Sequence, residues 1–271
     1  MRYTIKNVSG IREKNRALLE SLNRAGKNLF SVKDAAKILG LPVKRTRLYL
    51  SYFARRGWLA RVKPGLYISV PLGSSNPQGY KENPWIVANR VFSPCYIGGW
   101  SAAEHLELTD QMFSSIFVFT NRLFRKKSVN IQGTDFVLKL VRKKKAGHTK
   151  GVWVENTKVE VSDPTQTVVD MLDEPETGGG IRHVSEIIKN YFDSEHRNDS
   201  TLLKYMNEKN NGTVYKRLGF ILEALKVKSP EVIEACKKNI SAGYSPIDPT
   251  IKGKGRFNRK WNLLVNAEIE R

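Results

Sequence analysis

Lys44, Arg45, Arg47, Arg55 and Arg56 stand in the segment LPVKRTRLYLSYFARRG, and Arg61 and Lys63 follow within a few residues. Guanidinium and ammonium groups at that density do one kind of chemistry well, which is to donate hydrogen bonds to phosphate oxygens and guanine edges. At about 100° per residue, Lys44, Arg45, Leu48, Tyr52 and Arg55 share one arc of a helix, with Arg47, Tyr49 and Arg56 on its flanks. The opposite arc, Val43, Thr46, Leu50, Phe53 and Ala54, is the expected buried side. A groove-reading helix contacts bases through its N-terminal half, which assigns Lys44, Arg45 and Leu48 to base edges and Arg55 and Arg56 to the phosphate backbone.

Such a helix must be held from behind. In SVKDAAKILG, Ser31 can cap a helix over 31–39 and Asp34, three residues on, can reach back, while Ala35, Ala36, Ile38 and Leu39 supply an apolar stripe. Gly40 allows a tight turn, and Pro42 is tolerated in the first turn of the next helix. An earlier helix over 11–24 carries Ile11, Ala17, Leu18, Leu19 and Leu22, with Gly26 suited to its end. After Gly57, residues Trp58–Val62 and Leu66–Val70 alternate around Lys63-Pro64-Gly65, which predicts a hairpin closed by Trp58, Leu66 and Tyr67. Arg61 and Lys63 then sit at the hairpin tip, within reach of phosphate or the minor groove. The order of elements predicts a winged helix-turn-helix over 1–72 that binds double-stranded DNA.

Charge agrees with that partner. The chain of 271 residues has a formal net charge of +20, from 46 Lys and Arg against 26 Asp and Glu. Residues 1–70 hold 16 basic and 3 acidic side chains, so the first quarter carries most of the excess. No apolar run approaches the roughly 20 residues of a spanning helix, and no long amphipathic face suits a lipid surface. MRYTIKNVSGIREKNR lacks an export signal, so a cytoplasmic protein is expected. Cys95 and Cys236 are too isolated for a disulfide framework and read as small buried residues. His105, His148, His183 and His196 show no ligand spacing, and neither a metal nor another cofactor is expected.

The stretch 71–84, PLGSSNPQGYKENP, breaks the pattern and marks a linker at 73–84 before a second domain at 85–271. There, residues 84–107 read as two helices about a bend at Ser93-Pro94, five short strands follow between 114 and 162, and helices follow over 164–173, 181–193, 199–209, 212–226 and 229–239. The expected class is α+β, with a larger mixed domain whose C-terminal part is helical. Asp163 suits the N-cap of the helix at Pro164, and Asp170 lies on the same face. Gly178-Gly179-Gly180 lacks the Lys of a nucleotide loop and reads as a turn, and Arg217-Leu218-Gly219 as a packing motif. Arg122, Arg125, Lys126, Lys127, Lys139 and the run Arg142, Lys143, Lys144, Lys145 flank strands and form a candidate second nucleic-acid patch. Lys252, Lys254, Arg256, Arg259 and Lys260 crowd beside Phe257 and Trp261 near the C-terminus.

RRGWLARVKPGLYISVP resembles the N-terminal domain of AbiEi-type antitoxins, transcriptional regulators of type IV abortive-infection toxin-antitoxin systems. YIGGWSAAEHLELTDQ (96–111), SDPTQTVVDMLDEPETGGG (162–180) and YKRLGFILEAL (215–225) are similar to later segments of the same family, while the length and charge of 139–150 depart from it. The resemblance implies a repressor that binds inverted repeats in the promoter of its own operon, two copies acting cooperatively. It also implies that the second domain neutralises a nucleotidyltransferase-like toxin without a stable complex, and that the chain is not an enzyme. Two alternatives stand beside it. One is a plain winged-helix repressor with no antitoxin role. The other is a nuclease holding magnesium through Asp135, Glu155, Glu160 or Asp163, although no Glu-x-Lys pair occurs to set a carboxylate and a lysine on one strand face.

Overall fold

The computed structural model describes residues 12–25, 29–71, 76, 79–141 and 147–269, and the chain divides into two compact units, Met1–Asn83 and Pro84–Arg271. Ile11, Gly26, residues 73–75 and 77–78 of the expected linker and the run Arg142, Lys143, Lys144 and Lys145 lie outside the described residues.

The first unit contains α1 (Glu13–Arg24), β1 (Leu29–Ser31), α2 (Val32–Leu39), α3 (Val43–Arg55), β2 (Leu59–Lys63) and β3 (Leu66–Ser69). Its sheet has the order β1-β3-β2, all antiparallel. β1 has no signal in the sequence because three residues are too few to display alternation. Leu22, Phe30, Leu50 and Phe53 are fully buried and draw α1, β1 and α3 onto one core. Each such side chain contributes on the order of 1.5–3 kcal/mol by leaving water.

The second unit opens with α4 (Pro84–Phe92), β4 (Cys95–Ile97) and α5 (Gly99–His105). β5 (Ser115–Thr120), β6 (Ser128–Ile131), β7 (Thr134–Leu140), β8 (Thr149–Val154) and β9 (Thr157–Ser162) follow. The six strands form one mixed sheet in the order β6-β7-β5-β4-β9-β8. The expectation of two helices meeting at Ser93-Pro94 is corrected here: Cys95–Ile97 is a central strand, antiparallel to β5 and parallel to β9. A short strand covered on both sides shows no polar alternation, so sequence cannot tell it from the start of a helix.

Five helices complete the unit: α6 (Pro164–Asp173), α7 (Ile181–Asp193), α8 (Asp199–Lys209), α9 (Gly212–Ala224) and α10 (Pro230–Asn239). Asp163 caps α6, its Oδ1 accepting the Gln166 N–H at 2.7 Å. Asp170, two turns along, is buried and accepts from Gln166 at 2.8 Å while Lys209 of α8 stands 2.7 Å away. Gly179 and Gly180 have φ of 84° and 105°, and the first amide of α7, Ile181 N–H, donates to Asp248 at 2.8 Å. The helix end that a bound phosphate would need is thus filled by a carboxylate of the chain itself. A second sheet, unforeseen because its strands are two or three residues long, joins β10 (Ser245–Pro246), β11 (Arg256–Asn258) and β12 (Leu263–Val265) in the order β10-β12-β11.

The packing role read for Arg217-Leu218-Gly219 takes a concrete form. Arg217 is buried and donates to the carbonyls of Leu172, Asp173, Pro246 and Ile247 at 2.7–3.1 Å. Gly219 lies against the ring of Trp261, so close that a methyl group there would overlap ring carbons. Trp261, which the sequence sets beside the C-terminal cations, is fully buried, and its indole N–H donates to Glu223 at 2.9 Å. Among the described residues no helix is long and apolar enough to cross a membrane. Gly219→Ala should destabilise the second unit by about 1–3 kcal/mol through overpacking, read as a lowered thermal midpoint for the full chain. An unchanged midpoint would mean that the Trp261 ring moves aside without cost.

Candidate nucleic-acid interface

Local chemistry sets α2 and α3 before any long-range contact does. Ser31 Oγ accepts the Asp34 N–H at 3.2 Å, and Asp34 Oδ2 accepts the Ser31 N–H at 3.0 Å, a reciprocal cap that starts α2. Gly40, at φ 62° and ψ 31°, ends it in the left-handed region. After Leu41 and Pro42, α3 begins at Val43, with Thr46 Oγ1 donating to the Pro42 carbonyl at 3.1 Å. Thr46, Leu50 and Phe53 turn inward, and Ala54 is half-buried. Val43 belonged to that buried side in the sequence reading, but it is 45% exposed. It is the first residue of α3, and helical side chains lean toward the N-terminus, which carries it past the edge of the core.

The outer face of α3 displays Lys44, Arg45, Arg47 and Leu48 in its first two turns and Arg55 and Arg56 around its end, all exposed. Leu48 is 68% exposed, a large apolar side chain set among cations. Tyr52 is half-buried: its ring lies 5.8 Å from that of Phe53 and 5.9 Å from that of Trp58, and the Arg56 guanidinium rests 5.7 Å above it. Tyr52 therefore packs on the core with one part of its ring and positions Arg56 with its face. Arg61 is exposed on β2, and a bulge separates it from Lys63, whose strand partner is Leu66. Gly65, at φ 81°, closes the tip in open space.

Two contributors escaped sequence reasoning. Arg12 and Asn15, at the start of α1, line a groove with Arg45, Leu48, Tyr49, Tyr52 and Arg56. The signal that could have found the electrostatics is the absence of any Asp or Glu from Ala35 to Lys81. Among the described residues no carboxylate pairs with Lys44, Arg45, Arg47, Arg55 or Arg61. Exposed, unneutralised cations on a rigid helix retain their hydrogen-bond donors for an external anion.

The second patch is less uniform. Arg125, Lys126 and Lys127 are exposed between β5 and β6, and Lys126 and Lys127 border, with Arg122 and Lys139, a cavity of about 370 Å³ that also holds Glu174 and Glu176. Lys139 is ion-paired with Glu174, and Arg122 donates to the carbonyls of Val91 and Ser93 at 3.2 and 3.3 Å. The carboxylates considered for a nuclease are dispersed. Asp135 accepts from Asn130, Glu160 from Thr149 and Asp163 from Tyr205, and Glu155 occupies the turn between β8 and β9. Among the described residues no three His, Cys, Asp or Glu side chains are grouped to hold a metal ion. Cys236 is fully buried and Cys95 half-buried, and burial pushes both thiols up to about 12.

A capped helix, a left-handed glycine turn, a cationic second helix and a tight hairpin thus lie in one continuous stretch. Residues 18–70 match the family model described as transcriptional regulator, AbiEi antitoxin. The AbiEi match begins within α1 and ends just after β3, so it takes in the whole of α2, α3 and the hairpin. No curated protein matches the chain. The crystal structure of the RV2827C protein from Mycobacterium tuberculosis is similar over 94% of this chain and 92% of that one, with a TM-score of 0.67 at 14% identity. At that identity the likeness is one of fold, and it extends beyond the AbiEi-matching segment to the sheet and helices of the second unit.

Because the cap fixes where α2 starts, Ser31→Ala should cost about 1 kcal/mol of stability in the first unit, measured by urea denaturation. A loss below a few tenths of a kcal/mol would show that tertiary packing alone sets the helix start.

Proposed function

We propose that this protein is a DNA-binding repressor and antitoxin of a type IV toxin-antitoxin system, acting in the cytoplasm. Its first unit works as a winged helix-turn-helix: α3 enters the major groove, with Lys44, Arg45 and Leu48 at base edges and Arg47, Tyr52, Arg55 and Arg56 toward the backbone. The hairpin brings Arg61 and Lys63 to phosphates or the adjacent minor groove. The observation that carries this reading is the acid-free, cationic face of α3 inside the segment that matches the AbiEi antitoxin regulators.

The operator in this reading is a pair of inverted repeats in the protein's own promoter, occupied cooperatively by two copies. The second unit is needed to neutralise a nucleotidyltransferase-like toxin, encoded downstream, without a stable complex between the two proteins. Arg125, Lys126, Lys127 and the run Arg142 to Lys145 extend the nucleic-acid contact or engage the toxin's substrate. The role is regulatory, with no cofactor and no catalytic residue.

Binding to operator duplex should fall steeply with salt, and Arg61→Ala should weaken it on all sequences alike while reducing the slope of log K against log salt by about 1. An unchanged slope would remove the hairpin from the contact. The functional test is co-expression of the full chain with the neighbouring downstream gene, scoring bacterial growth together with a reporter on the chain's own promoter. The wild type should restore growth and silence the reporter. Arg45→Glu with Arg47→Glu should lose repression, yet retain rescue when expressed from an independent promoter. Repression without rescue would leave an ordinary repressor, and intact repression by the double variant would remove α3 from the interface.

A further inference from the structure

The small C-terminal sheet shows two faces of different character. β12 is its central strand, and Leu263, buried, points into the core beside Trp261. Register then decides the outward side. Phe257 of β11 lies opposite Leu264, and Leu264 lies opposite Pro246 of β10. Successive side chains on a strand alternate, so Phe257, Leu264 and Pro246 share the face away from Leu263, and Tyr244, two residues before Pro246, joins them. Phe257 is 67% exposed and Tyr244 47%, and their rings meet edge to face with centroids 4.8 Å apart at 67°.

Two aromatic rings left in water forgo the burial that usually governs where Phe and Tyr settle. They are also held in place. Lys216 of α9 is completely buried and donates to the Gly243 carbonyl at 2.8 Å and to Ser245 Oγ at 3.2 Å, which pins the segment on either side of Tyr244. Trp261, wedged against Gly219, supports the sheet from beneath. The pair is therefore presented by a fixed platform rather than by a loose tail.

The surrounding charge has one sign. Residues 249–267 contain Lys252, Lys254, Arg256, Arg259 and Lys260 and no Asp or Glu. Lys260 is ion-paired with Glu223. Among the described residues no carboxylate pairs with Lys252, Lys254, Arg256 or Arg259. Asp248, at the edge of this stretch, is buried and spends its oxygens on Ile181 N–H and Thr250. Lys252 and Lys254 precede β11 and Arg259 follows it, so cations bracket Phe257 at both ends of its strand.

We propose that this face is a stacking platform for single-stranded nucleic acid, in which unpaired bases lie on Phe257 and Tyr244 while Lys252, Lys254 and Arg259 track the phosphates. Protruding rings stack only on bases that are not already stacked and paired in a duplex, and flanking cations meet the backbone charge. The surface belongs to the second unit, and the proposal does not rest on the reading of the first unit as an operator binder.

The test uses the full chain carrying Arg45→Glu and Arg47→Glu, so that contacts through α3 do not mask the platform. Labelled 12-nucleotide RNA, DNA of the same sequence and the corresponding DNA duplex are titrated by fluorescence anisotropy. The protein should bind the single strands more tightly than the duplex, and the RNA and DNA arms distinguish whether the 2′-hydroxyl matters. Tyr244→Ala with Phe257→Ala should weaken single-strand binding by about tenfold or more, consistent with lost base stacks. Phe257→Trp should retain it, and the thermal midpoint should hold because both rings are exposed. Single-strand affinity that survives the double alanine variant, equal losses for single strand and duplex, or ring-dependent binding only to phosphatidylserine vesicles would each overturn the proposal.

Discussion

A buried guanidinium must find hydrogen-bond acceptors for each of its three nitrogens, and in the second unit that requirement organises the C-terminal half. Arg217 meets it with main-chain carbonyls: two at the end of α6, Leu172 and Asp173, and two in and after β10, Pro246 and Ile247. Carbonyls at a helix C-terminus carry the negative end of the helix dipole and lack partners of their own, so they suit a cation. Burial pulls the proton affinity of Arg217 down, but a guanidinium remains charged in a protein, and the site is organised around that charge. One side chain of α9 thereby fixes the end of one helix and the start of a sheet that are distant in sequence.

The neighbouring positions on α9 extend the same logic. Lys216 secures Gly243 and Ser245, and Gly219 admits the Trp261 ring. Together the three residues fasten the segment from 243 to 265, a basic stretch whose strands are only two or three residues long. Rigidity at this point has a consequence for the surface. A side chain on a fixed strand presents its ring without an ordering cost at the moment of contact, whereas the same ring on a mobile tail would lose affinity to that cost.

The first unit solves a different problem, which is to concentrate positive charge without collapsing or pairing it away. The core of Leu22, Phe30, Leu50 and Phe53 carries the stability, and the cap and glycine turn orient α2 and α3, so the outer face of α3 is left to electrostatics. Self-repulsion among Lys44, Arg45 and Arg47 is a cost in the isolated protein that a polyanion offsets. The two basic surfaces differ in what accompanies the charge. On α3 it is a slim helix with a single exposed leucine, the shape proposed to enter a groove, and on the C-terminal sheet it is a pair of projecting rings, the shape proposed to stack on unpaired bases.

Much of this was legible in the residues alone. Ser31, Asp34 and Gly40 announced α2, Asp163 and Pro164 announced α6, and α7 and α8 have the bounds that helical periodicity marked, because caps and periods are written in neighbouring residues. The five strands β5 to β9 likewise carry their own alternation. Tertiary structure alone decided the rest. β1, β4 and β10 to β12 exist only because partners from elsewhere in the chain complete them, since two or three residues hold no period. Sequence placed Phe257 and Trp261 alike beside the same cations, and packing separated them: Gly219 makes room for one ring, while strand register turns the other outward. Asp170 meets Lys209, and Arg217 meets four carbonyls, for the same reason. A buried charge takes its partner from whatever the fold brings near, and sequence spacing does not encode that proximity.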